Sequence, residues 1–275
     1  MDRASNLLSV GHSHLLSVNP LKGNLWSIFC IFLLTCCSSA YIPSAKNVPL
    51  FENKGESLIE TGASTNSFYL NGSYAFSEKY AVIANGSISY PALVGKPIIK
   101  YNELTIFREG NVQHYSFETG IGRYNLLPPS NRRLEVFAGA GYGLKKSFWN
   151  NNNEQNYFQG FVQANIGKKY KHSEIGWSLR TAYSGFQYQH GYYKSQFDEN
   201  GIYQGSQLIL EHESYQTFHL EPLFVIRVGG QQLRWFARAG FNLAFPLSST
   251  SLIETLGVDK GYTIFHFSTG LSFRF

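Results

Sequence analysis

Apolar and polar side chains alternate along most of the chain after Glu56. The segment 231–245 shows the pattern most clearly, because its odd positions are apolar and its even positions include both of its arginines. The odd positions carry Leu233, Trp235, Ala237, Ala239, Phe241, Leu243 and Phe245. Successive side chains of a β-strand point to opposite sides, so the pattern predicts strands with one apolar and one polar face. Apolar residues keep no helical period after Glu56.

The alternation predicts ten strands, each long enough to cross the hydrocarbon core of a membrane at a tilt of about 45°. We place them near 56–64, 67–77, 79–90, 113–124, 132–145, 156–168, 173–187, 214–228, 231–245 and 262–275. Eight strands remain an alternative if the first pair is not part of the wall, since an even number keeps both ends on one side. Nine strands do not fit this requirement, because an odd number would place the two ends of the barrel region on opposite sides of the membrane.

The connections between the predicted strands differ in length. Short turns follow the second, fourth, sixth and eighth strands, and longer links follow the others, at 91–112, 147–155, 188–213 and 246–261. The tight link at Thr65-Asn66 is the exception. Barrels of the outer membrane have short periplasmic turns and longer outside loops. The pattern therefore predicts that both ends of the barrel region lie in the periplasm.

The last strand carries a resemblance to a known class of protein. Its outward positions are apolar or aromatic except for Thr269, and an exposed aromatic strand at the end of a soluble protein would invite aggregation. The ending resembles the assembly signal of bacterial outer-membrane barrels, which is carried here by Phe267, Leu271, Phe273 and Phe275. The resemblance implies an all-β fold, a transmembrane antiparallel up-and-down β-barrel, with the outer-membrane lipid bilayer and the barrel-assembly machinery as partners.

Composition and charge agree with a membrane barrel. Aromatic residues make up 16% of the 275 residues, as interfacial girdles would require, and the mean hydropathy of -0.19 argues against a bundle of membrane helices. A charge at the lipid-facing midplane costs about 2–4 kcal/mol, and the segments 132–145, 214–228 and 231–245 keep the charges of their alternating cores on the other face. A soluble barrel would reverse the two faces. The net charge is +5, and no dense Lys/Arg run indicates nucleic-acid binding.

The N-terminal region predicts export and lipidation. Leu25–Thr35 is apolar, uncharged and too short to span a bilayer, which fits the hydrophobic region of a signal peptide. The following Leu-Thr-Cys-Cys sequence resembles a bacterial lipoprotein box, which implies acylation of Cys37 (alternatively Cys36) by lipoprotein-processing machinery. Plain cleavage near Ala40 without a lipid is the other possibility.

We therefore divide the chain into a leader and signal peptide (1–36), a lipidated extended linker (37–55) and the barrel (56–275). The stretch 40–51 is similar to the corresponding segment of Bacteroidetes-type outer-membrane lipoproteins of unassigned function. No acidic run of the kind that directs some lipoproteins to the cell surface follows Cys37. The expected location is thus the bacterial outer membrane, with the N-terminus lipid-anchored on the periplasmic side.

The polar faces of the predicted strands place many ionisable residues in the lumen. They include Glu118, Glu135, Arg180, His219, Glu221, Arg227, Arg234, Arg238, His266 and Arg274. Such a set is either a binding site or a network of ion pairs that fills a narrow barrel. Interior charges need partners, and acids and bases are both present, so we favour the network.

Candidate catalytic groups are sparse. His266 and Ser268 share a face and resemble the His-x-Ser of outer-membrane lipid A deacylases, but His114 and Ser116 repeat the same spacing. Ten-stranded omptin proteases need Asp/His pairs, and here only Asp198 shares a predicted loop with His190 and His212, while Asp259 lies in another loop. All three cysteines precede residue 38, so the barrel has no thiol nucleophile.

From these patterns we expect a non-enzymatic outer-membrane β-barrel lipoprotein, an envelope component with a lumen filled by polar side chains. A narrow channel or a binder of small or apolar solutes is the alternative, and a hydrolase acting on lipid A or peptides is a further one. No cofactor and no metal site is predicted, and the sequence does not identify a ligand.

Overall fold

A computed structural model describes residues 46–64, 67–89, 100–101, 104–105, 112–127, 131–147, 154–199, 202–247 and 262–275. The strands are β1 (Ser57–Ser64), β2 (Ser67–Tyr74), β3 (Tyr80–Ser89), β4 (Lys100–Tyr101), β5 (Leu104–Thr105), β6 (Val112–Leu127), β7 (Arg132–Ser147), β8 (Glu154–Lys169), β9 (Ser173–Phe197), β10 (Tyr203–Gly229), β11 (Leu233–Pro246) and β12 (Tyr262–Arg274). The described part of the chain contains no helix long and apolar enough to cross a membrane.

Ten of these strands form a closed antiparallel barrel in the order β1-β12-β11-β10-β9-β8-β7-β6-β3-β2, and β4 pairs only with β5. The ten-strand prediction is confirmed, and the eight-strand alternative is wrong because β1 and β2 belong to the wall. The barrel closes between its first and last strands, where Leu58 lies opposite Arg274 and Ser64 lies opposite Ser268. The C-terminal strand is therefore paired on both sides, and no edge remains open there.

The wall has an apolar outside and a polar inside. In β11, Leu233, Trp235 and Phe245 are exposed, whereas Arg234 and Arg238 are buried in the lumen. The exposed aromatics continue around the outside and include Phe68, Phe117, Tyr142, Phe158, Trp177, Tyr183, Phe267 and Phe275. This distribution is the reverse of that in a soluble barrel and is the one that a hydrocarbon solvent requires.

The connections define two ends of the barrel. The turn end carries the short links 75–79, 170–172 and 230–232 together with the start of β1 and the end of β12, and the other end is called the loop end. Over 188–213 the chain extends the two neighbouring strands, because β9 continues to Phe197 and β10 begins at Tyr203, so the strand ends predicted near 187 and 214 are too early and too late. The polar, tyrosine-rich residues form a two-stranded ribbon, whose strands satisfy each other's backbone hydrogen bonds without needing an apolar face.

Candidate functional site

A segment of the chain outside the wall occupies the lumen. Residues Lys46–Phe51, here called the lumen segment, are completely buried although they belong to no strand. The segment leaves the turn end at Phe51 and, followed toward the N-terminus, reaches Glu221, which lies eight positions along β10 from Gly229. The sequence predicts an extended linker for these residues, and it does not predict their position inside the barrel.

Lumen side chains hydrogen-bond the backbone of this segment in place of a neighbouring strand. Three of its carbonyl oxygens accept a hydrogen bond from a lumen side chain. Gln163 donates to the carbonyl of Asn47 at 2.6 Å, Arg227 donates to that of Val48 at 2.8 Å, and Arg274 donates to that of Pro49 at 2.8 Å. The amide N–H of Phe51 donates to Glu135 Oε1 at 2.7 Å. Buried backbone groups need such partners, so these side chains make burial of the segment possible.

The apolar side chains of the lumen segment pack in two clusters. Phe51 lies against Tyr124, with ring centroids 5.6 Å apart, in a cluster completed by Ala75, Ala81, Ile83, Phe137, Phe161 and Ala182. Val48 and Leu50 pack with Leu223 and Val225. A Cβ at Gly176 would lie 3.2 Å from Val48 Cγ1, so the missing side chain provides the space for this contact. The clusters add apolar contacts to the polar anchoring of the backbone.

The turn-side cluster is a group of ion pairs around two glutamates. Glu60 accepts from Arg227 Nε at 2.8 Å and also pairs with Arg238. Glu174 pairs with Arg227 at 3.1 Å, with Arg274 at 3.1 Å and with Arg234. Because the carboxylates are essentially buried, their negative charge must be neutralised by these arginines rather than by water.

The central cluster lies deeper and includes the first residue of the lumen segment. Arg180 forms a bidentate pair with Glu118, at 2.8 and 2.6 Å, and its Nε lies 3.3 Å from Glu221. Lys46 Nζ lies 3.4 Å from the same Glu221 oxygen. Bidentate Arg–carboxylate pairs are strong and geometrically specific. Lys46 thus joins the lumen segment to the wall by charge as well as by packing.

An aromatic layer covers the central cluster toward the loop end. Phe186 stacks on Tyr215 with ring centroids 4.6 Å apart, and it also contacts Tyr157. The Nε2 atom of His114 lies 3.1 Å from the Tyr157 hydroxyl, and the two rings stack. The four side chains are buried and come from β6, β8, β9 and β10, so they add apolar surface above the ion pairs on that side of the lumen.

Further ion pairs join the start of β1 to the ends of β8 and β12 at the turn end. Lys169 and Arg274 pair with Glu56 at 3.0 and 2.9 Å. Burial would raise the pKa of Glu56, but Lys169 and then Arg274 more than offset it, so this pKa lies below its ordinary value. The stabilisation by these pairs is present above the unfolded-state pKa and is lost as the pH falls through the lowered one.

All ten residues of the predicted lumen network face the interior of the barrel, and nine of them take part in the ion pairs and hydrogen bonds described above or in the His219–Asn242 contact at 3.2 Å. The tenth, His266, lies 3.5 Å from Lys46 Nζ. Sequence reasoning missed Glu60 and Glu174. The strand parity of Glu60 would have identified it, since it alternates with the exposed Ile59.

The hydrolase-like pairs do not form a catalytic arrangement. His266 and Ser268 both lie on the lumen side of β12, but in the described chain no carboxylate hydrogen-bonds the imidazole, whose polar neighbour is the cation Lys46. Ser116 contacts Ser87, with hydroxyl oxygens 2.6 Å apart. A serine–histidine hydrolase needs an acceptor that orients the histidine and stabilises its protonated form, and a neighbouring ammonium disfavours that form.

Asp198 and His212, which the sequence places in one loop, are also far apart. Asp198 accepts the N–H of Ile202 at 2.7 Å and so closes the turn of the ribbon. His212 lies opposite Gln189, nine positions from Asp198, which corresponds to about 30 Å along the strand. Within the described ranges no cluster of metal-ligating residues occurs. Cys36, Cys37 and Asp259 lie outside these ranges.

No protein-family model and no curated protein matches the chain. Among solved structures, the outer membrane protease OmpT from Escherichia coli is similar, with 11% identity and a TM-score of 0.44 over 86% of this chain and 100% of that one. OmpT of Vibrio cholerae, an outer membrane protein folded in vitro, is 11% identical in its trimer form, with a TM-score of 0.19 over 80% of this chain and 98% of its own. These similarities transfer neither activity nor substrate to this chain.

Proposed function

We propose that the chain is a non-enzymatic outer-membrane β-barrel lipoprotein, an envelope component whose lumen is closed by a segment of its own N-terminal region. The observation that carries this proposal is the buried lumen segment, whose backbone is hydrogen-bonded by Gln163, Arg227, Arg274 and Glu135. A channel would need these groups to line water instead. The ion-pair clusters on either side of the segment support the same conclusion.

The outer-membrane location is supported by the wall. Its exposed aromatic residues and its buried lumen charges match the demands of a lipid bilayer. The paired C-terminal strand, with Phe267, Leu271 and Phe275 exposed and Phe273 on the same face, is consistent with recognition by the barrel-assembly machinery. A membrane location also accounts for apolar surface that would aggregate in water.

The absence of a catalytic role is supported by the contacts of the candidate residues. His266 neighbours a cation, and Asp198 is engaged in a turn far from His212. The buried charges are explained by their mutual ion pairs, without any need for a substrate. Hydrolysis of lipid A or of a peptide by the purified chain would refute this part of the proposal.

Conductance across planar bilayers tests the closed lumen. The full chain is expected to give no steady current. A variant in which Gly-Ser repeats replace the lumen segment should give discrete conductance steps. Its lumen would lack the side chains of Val48 and Leu50, and water would reach the buried arginines. Substituting Arg238 in the opened variant should then change the ion selectivity of the current.

The matched control replaces Asn53, Lys54 and Gly55 by Gly-Ser residues, since these lie in the exposed stretch just after the lumen segment. It should remain closed like the full chain. A steady, selective current through the unaltered chain would show that the lumen conducts and would favour the channel alternative. Equal currents through control and opened variant would show that the segment does not seal the barrel.

Lipidation is tested by labelling cells with palmitate. We expect the label to be retained in Cys36→Ala and lost in Cys37→Ala, since Cys37 leaves Leu34 at the third position before the acylated residue. The acyl chains would add hydrophobic anchoring of about 0.8 kcal/mol for each buried CH₂. An unlabelled unaltered chain would exclude a lipoprotein, label retained in the double variant would exclude both cysteines as the acylation site, and label lost only in Cys36→Ala would assign the site to Cys36.

A further inference from the structure

Two cations lie side by side on the outer face of the wall at the turn end. Arg133 of β7 pairs with Gly167 of β8, so the next residues toward the turn end, Arg132 and Lys168, are cross-strand neighbours. Both lie on the face opposite to the lumen, Arg132 exposed and Lys168 partly exposed. Side chains in such positions have Cβ atoms about 4.5–5.5 Å apart, and like charges there destabilise the sheet.

The protein itself supplies no counter-charge to this pair in the part of the chain that the structure describes. Lys168 Nζ lies over the Tyr170 ring, 5.3 Å from its centroid, and neither cation has a carboxylate partner there. The nearby acids are engaged elsewhere: Glu52 pairs with Arg133 at 2.6 Å, and Glu135 and Glu174 face the lumen. Residues 128–130 read Pro-Pro-Ser and carry no charge.

The surroundings place the pair at the height of lipid headgroups. Tyr170, in the link after β8, is 49% exposed, and Trp177 of β9, opposite Ile166, is 58% exposed. Tyr and Trp concentrate at membrane–water interfaces, and apolar wall residues follow on the side away from the turn end. The cations therefore lie just outside the hydrocarbon, together with the exposed Lys171.

We propose that Arg132 and Lys168, assisted by Lys171 and Tyr170, bind the phosphate of an anionic phospholipid in the turn-side leaflet. A guanidinium donates two parallel hydrogen bonds to phosphate, and a lysine adds a point charge. The bound phosphate neutralises the repulsion between the two opposed cations. The inference rests on the membrane location in the proposed function, but not on the closed lumen.

Lipid retention by the full chain tests the site. The chain is inserted into nanodiscs of phosphatidylcholine containing a minor fraction of phosphatidylglycerol, and the lipids that remain bound after extraction are measured by native mass spectrometry. We expect phosphatidylglycerol to be enriched over phosphatidylcholine. Arg132→Gln/Lys168→Gln should lower the apparent affinity for phosphatidylglycerol by about fivefold for each charge removed. Inorganic phosphate at millimolar concentration should not displace the lipid.

The control Lys54→Gln/Lys79→Gln removes the same charge from exposed positions at the same end and should change retention less than twofold. If both double variants lose phosphatidylglycerol equally, the retention is due to general surface charge and not to a specific site. If the unaltered chain retains the two lipids equally, the proposed site is wrong. Displacement by inorganic phosphate would indicate a free-anion site instead. Heat-modifiable gel migration reports barrel insertion separately, so failure of the membrane location is distinguishable from failure of the lipid site.

Discussion

Replacing Glu60 with alanine is expected to lower the free energy of unfolding by about 3–5 kcal/mol, because removal of one partner leaves buried charge without compensation. Glu60 is completely buried and forms ion pairs with Arg227 and Arg238, whose side chains are both about 1% exposed. Arg227 would keep Glu174, whereas Arg238 would lose its carboxylate partner in the described chain. Urea unfolding of the chain in lipid vesicles, followed by tryptophan fluorescence, measures the loss.

The matched control removes an exposed carboxylate. Glu154 pairs with Lys146 at 3.4 Å, and both side chains are about half exposed, so Glu154→Ala should cost less than about 1 kcal/mol. The combined Glu60→Met/Arg238→Met variant should recover much of the stability, since apolar residues of similar volume can replace a buried pair. A loss in Glu60→Ala no larger than in the control would mean that water reaches the turn-side cluster and that the lumen is not sealed.

Replacing Phe51 with alanine is expected to cost about 3–5 kcal/mol in the interaction between the lumen segment and the barrel, the range for truncating a buried aromatic residue. Phe51 is completely buried against Tyr124 and Phe137. The segment makes no sheet hydrogen bonds, so the loss should appear first as its release from a barrel that stays folded. Trypsin should then cleave after Lys46, which is buried in the unaltered chain.

The control for this experiment is Phe51→Leu, which keeps most of the apolar volume and should leave Lys46 protected from trypsin. Heat-modifiable migration on gels reports whether the barrel itself remains folded in each variant. Rapid cleavage after Lys46 in the unaltered chain would contradict burial of the segment. Unchanged protection in Phe51→Ala would show that the ion pairs of Lys46 with Glu221 hold the segment without the aromatic contact.

The wall was largely predictable from sequence because alternation is a local property. In β11 the odd positions Leu233, Trp235 and Phe245 are exposed, and Arg234 and Arg238 face the lumen, as the pattern predicted. The ribbon of β9 and β10 was not predictable in this way. Beyond the membrane its residues have no apolar solvent to face, so Tyr192, Lys194 and Ser195 read as a loop although they pair with β10.

The alternation of apolar and polar positions does not predict which lumen side chains form ion pairs with each other. Alternation assigned Glu118 and Arg180 to the inner face, but their bidentate pair joins residues 62 positions apart and depends on which strands lie across the barrel. The sequence likewise could not place Arg132 beside Lys168, because their proximity follows from the register of β7 with β8. Register is fixed by pairing along the whole length of two strands.

The sequence by itself determined a barrel of ten strands, with eight as the alternative, and gave it an apolar outside and a charged inside, because the period of two decides which face each side chain takes. Only the tertiary structure decided what fills the interior. Residues 46–51 have no strand pattern, and their burial depends on side chains from distant strands: Gln163, Arg227, Arg274 and Glu135 hydrogen-bond their backbone. These groups meet the segment only after the sheet closes on itself.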